Sequence, residues 1–141
     1  MRVFLDSNVL VSAFATRGLC VDLYERLLTG HQIVIGEPVV AEVLDVLRRK
    51  FRVSAPLLKK VEAELRLLQV VPAQVSAPNL PIRDREGPWI IACALHAKAE
   101  CFVTGDAELL ALAKVDTLLI ISPRSFWNKY VLGIPFQEKT E

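Results

Sequence analysis

Short apolar runs without polar–apolar alternation constrain the fold of this chain most. They occupy residues 3–5, 32–35, 101–103 and 118–121, with a weaker run near residues 70–71. A strand buried on both faces has such a continuous run, whereas a strand with one solvated face alternates. Segments with helical periodicity separate the runs, so we expect an α/β fold in which helices cover both faces of a parallel sheet.

The helical segments are marked by apolar spacing and by prolines and glycines at their ends. We predict helices over residues 8–13, 19–28, 38–51, 56–68, 88–98 and 106–113. The third carries one wide apolar stripe at positions i, i+3, i+4, i+7 and i+11, formed by Val40, Val43, Leu44, Leu47 and Phe51. The proline-rich stretch 76–88 is too short to separate domains, so residues 1–141 are expected to form one domain.

Composition narrows the function classes. Of 141 residues, 52% are hydrophobic and 23% charged, which excludes a disordered chain. Lys and Arg number 17 against 16 Asp and Glu, so the net charge of +1 supplies no bulk positive field, and a nucleic-acid contact would need a local patch or a metal. Cys20, Cys93 and Cys101 form no zinc pattern, which predicts a reduced, cytoplasmic protein. No apolar run reaches the ~20 residues of a membrane span, and no signal peptide is visible.

Two acidic residues directly follow predicted strands. Asp6 comes after residues 3–5, and Asp106 follows residues 101–103 through Thr104 and Gly105. Ligands of open parallel sheets gather outside the carboxyl ends of the strands, so both acids are candidates for one site. The alternative is that each caps the next helix, a common role worth ~1 kcal/mol.

Glu42 is a third candidate acid, in the helix after the second strand and at the border of its apolar surface. An ordinary exposed glutamate is the alternative. If the three acids converge they repel one another, by roughly 4 kcal/mol for two charges ~4 Å apart at an effective dielectric of ~20. A divalent cation removes that repulsion, and carboxylates without His or Cys favour Mg²⁺ or Mn²⁺. Metal-assisted phosphodiester hydrolysis is the natural reaction.

Four segments resemble the motifs of the PIN domain family. Residues 5–13 resemble the opening motif, which usually reads Asp-Thr-Asn where this chain has Asp-Ser-Asn. Residues 39–51 are similar to the second motif, residues 90–108 to the last acidic motif, and residues 122–126 to the closing Ser-Pro-x-x-Phe. The resemblance covers nearly the whole chain in order, and it is nearest to the branch of toxin components of toxin–antitoxin pairs.

The resemblance implies a three-layer α/β/α sandwich with a central parallel sheet of about five strands. The implied activity is a Mg²⁺- or Mn²⁺-dependent ribonuclease that cuts single-stranded RNA, acts as a homodimer and is silenced by an antitoxin protein. By the same resemblance, Asp6 and Asp106 are the primary metal ligands, and Glu42 completes the catalytic cluster and positions the attacking water. Asn8 and Thr104 would support them, with local hydrogen bonds at the strand ends as the alternative.

The chain departs from the family at the usual third acid, just before the helix that begins at Pro88. That position holds Gly87, which has no carboxylate. Glu86 or Asp84 could supply a displaced ligand from a shifted loop, or both could be solvated acids paired with the neighbouring arginines. The alternative function is therefore a PIN-like binding module with weakened or lost catalysis. An Asp-nucleophile phosphatase is a more distant alternative, because such enzymes need Asp-x-Asp after the first strand and this chain has Asp-Ser-Asn there.

Two further groups could contact RNA. A basic cluster at residues 48–52 could hold the backbone, although a solvated helix end is the favoured explanation. Trp89, Phe126 and Trp127 could stack on bases, but packing in the core or a dimer interface is the favoured explanation.

Overall fold

The computed structural model describes residues 1–135 as a sheet of parallel strands with helices between them. The strands are β1 (Arg2–Leu5), β2 (Gln32–Gly36), β3 (Gln69–Val71), β4 (Cys101–Val103), β5 (Lys114–Val115) and β6 (Leu118–Ile121). The helices are α1 (Ser7–Ala15), α2 (Leu19–Gly30), α3 (Glu37–Arg49), α4 (Ala55–Arg66), α5 (Gly87–His96), α6 (Ala107–Leu112) and α7 (Pro123–Phe126), followed by a π-helical turn at Trp127–Val131.

The strand order is β3-β2-β1-β4-β6-β5, with all neighbours parallel except the last pair. Consecutive residues of β1 and β4 are buried, so both faces of the sheet are covered. The stacked rings of Phe4 and Phe102, 5.3 Å apart, pack these two central strands together. The α/β sandwich with a mainly parallel sheet confirms the predicted fold class.

Two of the differences from the prediction concern β5 and the end of α3. The antiparallel strand β5 was not expected, because a strand of two residues carries no periodicity. The apolar stripe of α3 was extended too far: the helix ends at Arg49, Arg52 adopts a left-handed φ of 52°, and the Phe51 side chain is 45% exposed. Within residues 1–135, the helices are all too short or too polar to cross a bilayer.

The register of the central strands prepares one edge of the sheet for a site. Leu5 pairs with Val103, so the residues that follow them leave the sheet side by side. On the other side of β1, strand β2 ends at Gly36, directly before α3, which carries Glu42. Asp6 and Asp106 therefore lie at the same edge of the sheet, and α3 begins at that edge with Glu42 in its second turn.

Gly36 is required by a close approach between β2 and α5. A Cβ atom at this position would lie 2.8 Å from Cys93 Sγ and 2.9 Å from Cys93 Cβ. We predict that Gly36→Ala lowers the free energy of unfolding by about 1–3 kcal/mol, because the added methyl group overpacks the core. Urea denaturation measures this loss.

The matched control is Gly30→Ala, since no atom lies within 4 Å of a Cβ built at Gly30. This change should leave stability unchanged or raise it slightly, because alanine has the higher helix propensity. Equal effects of the two substitutions would contradict the close packing of β2 against α5.

Candidate functional site

Asp6 occupies the end of β1 with its side chain almost fully buried, at 6% exposure. Its backbone N–H donates to the Val103 carbonyl (3.0 Å), which continues the pairing with β4. Carboxylate Oδ1 accepts from the Ser7 N–H (2.8 Å), and Oδ2 accepts from the Thr104 hydroxyl (2.7 Å) and the Asn8 amide (3.1 Å). Asp6 is thus both the N-cap of α1 and the centre of a polar network between two strands.

Asn8 and Thr104 complete this network. Asn8 Oδ1 accepts from the Gly105 N–H (2.8 Å), and its amide nitrogen lies 3.3 Å from Thr104 Oγ1. Thr104 Oγ1 in turn accepts from the Asp106 N–H (3.0 Å). These are the local hydrogen bonds that the alternative for Asn8 and Thr104 predicts, and they place both residues beside Asp6. A role in orienting metal-bound water stays a prediction.

Burial sets the protonation of Asp6. Loss of solvent raises the pKa of its carboxyl group from 3.8 to about 6, and the negative charge of Glu42 also raises it. Hydrogen bonds from Thr104, Ser7 and Asn8 stabilise the carboxylate and limit the rise. The repulsion means that Glu42 acts electrostatically on Asp6 although its own side chain is exposed.

Asp106 follows β4 and caps α6. Its Oδ1 accepts from the backbone N–H groups of Glu108 (2.8 Å) and Leu109 (3.1 Å). As with Asp6, the capping role predicted as the alternative is realised. Thr104 therefore links the Asp6 carboxylate to the backbone N–H of Asp106 within one hydrogen-bonded network.

The position of the missing acid is filled by hydrocarbon. Gly87, the first residue of α5, is buried, and a Cβ atom there would lie 2.7 Å from Ile82 Cδ1 and 3.6 Å from Leu109 Cδ2. The sequence shows that Gly87 takes the place of the third acid, but it does not show that Ile82 lies against it. In the sequence, Ile82 stands between a proline and the run of charged residues that follows it. An isoleucine in this setting suggests that the loop is anchored to the core, but it does not show which residue it contacts.

The charged loop before α5 is paired differently from the expectation. The Arg83 N–H donates to Glu108 Oε2 (2.7 Å), and the Arg83 guanidinium lies 3.6 Å from Oε1. The acid that pairs with Arg83 is therefore Glu108 of α6 rather than a neighbour in the loop. Glu86 is exposed, and its backbone N–H donates to Asp84 Oδ1 (3.0 Å).

The residues predicted to contact RNA differ in whether their side chains are paired, buried or exposed. Arg48 and Arg49 both bind Asp45, at 3.0 and 2.7 Å, in exposed ion pairs of the α3 end. Phe126 is fully buried and Trp127 packs on the core, whereas Trp89 is 41% exposed in the first turn of α5. The core explanation therefore holds for Phe126 and Trp127 but not for Trp89.

The donor atoms at the sheet edge fit Mg²⁺ or Mn²⁺ in their chemistry. They are carboxylate, hydroxyl and amide oxygens, and a cation would relieve the repulsion between Asp6 and Glu42. No three His, Cys, Asp or Glu side chains in residues 1–135 lie close enough together to form a ligand cluster. Metal-ligand roles for Asp6, Glu42, Asp106 and Glu86 stay predictions.

Comparison with known proteins identifies the family. A family model described as PIN domain matches residues 2–108, and the chain therefore belongs to the PIN domain family, as its motifs predicted. The crystal structure of VapBC2 from Rickettsia felis, bound to a DNA fragment from their promoter, has a similar fold, with a TM-score of 0.61 and 15% sequence identity. The alignment covers 86% of this chain and 98% of that chain. A search among curated proteins gave no match.

The raised pKa of Asp6 predicts a pH-dependent stability. Because the folded state holds this proton up to about pH 6 and the unfolded state only to about 3.8, ionising Asp6 costs folding free energy above pH 6 and nothing below 3.8. In EDTA, the stability of the native protein relative to Asp6→Asn should therefore fall by about 3 kcal/mol as pH rises through this window.

Urea denaturation from pH 4 to 8 measures the difference between the two proteins. Asp45→Asn is the control, because the hydrogen bond and charge of Arg49 lower the pKa of this exposed acid. Because Asp45→Asn keeps Asp6, the stability of the native protein relative to this variant should show no such fall. If the unfolding free energies of the native protein and Asp6→Asn change in parallel with pH, the raised pKa of the buried Asp6 carboxyl group is contradicted.

Proposed function

We propose that this protein is an endoribonuclease that hydrolyses single-stranded RNA with Mg²⁺ or Mn²⁺. The observation that carries the proposal is the buried Asp6 carboxyl group, repelled by Glu42 and linked through Thr104 to Asp106, in a chain of the PIN domain family. Family membership favours a nuclease over the Asp-nucleophile phosphatase.

Asp6, Asp106 and Glu42 would hold the cation, with Glu86 as the displaced replacement for the missing third acid. Such a cation lowers the pKa of a bound water and neutralises charge on a phosphate. The hydrogen bonds from Ser7, Asn8 and Thr104 keep the Asp6 carboxylate in one orientation. Glu42, with its exposed carboxylate, would position the attacking water.

The same proposal extends to the biology of the protein. The motifs resemble the toxin branch of the family, and the fold is similar to that of VapBC2. We therefore propose a cytoplasmic homodimer whose activity is silenced by an antitoxin protein. Size-exclusion chromatography with light scattering tests the dimer, and co-expression with the product of an adjacent gene tests the antitoxin.

A specific observation favours a second function, RNA binding with weak or no cleavage. Gly87 supplies no carboxylate, and the space beside it is occupied by Ile82. A PIN domain in this state would keep its fold and its RNA-binding surface while losing turnover. Binding of RNA measured by fluorescence anisotropy, without cleavage at saturating Mn²⁺, would identify this function.

We predict that the native protein binds Mn²⁺ in titration calorimetry and cuts single-stranded RNA only when the cation is present. Asp6→Asn should lower both Mn²⁺ affinity and cleavage by about 100-fold or more, because loss of a direct ligand exceeds the 10–100-fold effect of losing a residue that supports one. Asp45→Asn, which removes an exposed acid from α3, is the matched control and should behave like the native protein. Cleavage that persists in EDTA or in Asp6→Asn would contradict the nuclease proposal.

A further inference from the structure

Gly87 and Ile82 form a complementary pair of residues. A Cβ at position 87 would lie 2.7 Å from Ile82 Cδ1, a separation that real Cβ atoms essentially never show. The terminal methyl group of Ile82 therefore lies where the Cβ of a larger side chain at position 87 would begin, and it would have to turn aside to make room. Leu109 Cδ2, at 3.6 Å, forms the opposite wall at ordinary van der Waals distance. We refer to this volume, bounded by Gly87, Ile82 and Leu109, as the Gly87 corner.

The Gly87 corner borders the candidate site. Leu109 belongs to the first turn of α6, and its backbone N–H donates to Asp106 Oδ1 (3.1 Å). A carboxylate carried by residue 87 would thus begin beside the helix turn that Asp106 caps. In this chain the corner presents methyl groups instead, which neither bind a cation nor hydrogen-bond to water.

Glu108 anchors the loop that carries Ile82. The backbone N–H of Arg83 donates to Glu108 Oε2 at 2.7 Å, a charge-assisted hydrogen bond to the residue directly after Ile82. The Arg83 guanidinium is 96% exposed, so its ion pair at 3.6 Å adds little by itself. Glu108 also donates its own N–H to Asp106 Oδ1 (2.8 Å), so one turn of α6 holds both Asp106 and the loop.

We propose that Ile82 replaces the missing third acid as a space-filling side chain, and that Glu108 is the positioning residue that keeps it in the Gly87 corner. The proposal rests on the proposed function, since the corner matters as a metal-binding position. Its consequence is that position 87 and position 82 are coupled, because an acid restored at 87 requires the Ile82 side chain to turn away from the corner.

The first experiment is a double-mutant cycle with the native protein, Ile82→Ala, Gly87→Asp and the double variant. Unfolding in EDTA gives a readout that needs neither metal nor activity. Ile82→Ala should lower stability in the native background, because it empties a packed corner. In the Gly87→Asp background the loss should be smaller or become a gain, because the substitution removes the methyl group that lies 2.7 Å from the added Cβ. The same destabilisation in both backgrounds would overturn the proposal.

Mn²⁺ titration calorimetry gives the second readout of the cycle. Gly87→Asp alone should gain little affinity, whereas the double variant should bind roughly tenfold more tightly than Gly87→Asp, since cation affinity follows the number of carboxylate ligands. A full gain in Gly87→Asp, unchanged by Ile82→Ala, would show that Ile82 does not obstruct the corner.

The role of Glu108 is tested in the Gly87→Asp background. Glu108→Ala removes the acceptor of the Arg83 N–H and should raise Mn²⁺ affinity as Ile82→Ala does, while Glu108→Gln keeps an acceptor oxygen and should have the smaller effect. Asp45→Ala is the matched control, because Asp45 also pairs with exposed arginines but on α3. Equal Mn²⁺ affinities for Glu108→Ala and Asp45→Ala would overturn the positioning role.

RNA cleavage separates this proposal from the proposed function. A coupled cycle in a protein that never cuts RNA would leave the Gly87 corner explained and the nuclease proposal wrong. If the native protein cuts RNA only with metal and the mutant cycle is additive, the nuclease proposal is supported and the proposal for the Gly87 corner is wrong.

Discussion

The hydrogen bond from the Thr104 hydroxyl to the buried Asp6 carboxylate is the interaction on which the candidate site depends. It joins the residues that directly follow β1 and β4, the two central strands, and it is reinforced by Asn8 from the first turn of α1. Because both strands are covered on both faces, their ends meet at an edge with little freedom to shift. The fold thereby holds the Asp6 carboxyl group in a buried position, although the charged form of a carboxyl group is more stable in water.

This placement has an electrostatic consequence. Desolvation makes the charged form of Asp6 costly, and the approach of Glu42 adds to that cost, while the three hydrogen-bond donors recover only part of it. A buried carboxyl group of this kind lowers the stability of the fold. A bound cation would offset that loss, because it would stabilise the carboxylate. The opposite solution appears at Gly87, where the neighbouring corner is packed with Ile82 and Leu109 and carries no charge.

Much of this arrangement follows from the sequence, because it depends on local patterns. Continuous apolar runs indicate buried parallel strands, and an acid directly after such a run must lie at the carboxyl edge, so Asp6 and Asp106 were placed correctly. The sequence also shows that Gly87 lacks a carboxylate. It does not show that Ile82 fills the space, or that Arg83 pairs with Glu108, since both contacts join the loop to residues defined only by tertiary packing. Strand β5 and the end of α3 were missed for a local reason: backbone conformations at Ala113, Asp116 and Arg52 have positive φ without a glycine to mark them.

The central claim, a buried Asp6 carboxyl group that binds a cation, is tested by an NMR titration of its carboxyl carbon, first in EDTA and then in Mg²⁺. The pKa is expected to be about 6 without metal and to fall in Mg²⁺, because the cation stabilises the carboxylate. A pKa near 3.8 without metal would contradict the desolvated carboxyl group. A pKa near 6 that Mg²⁺ leaves unchanged would contradict a metal site at Asp6.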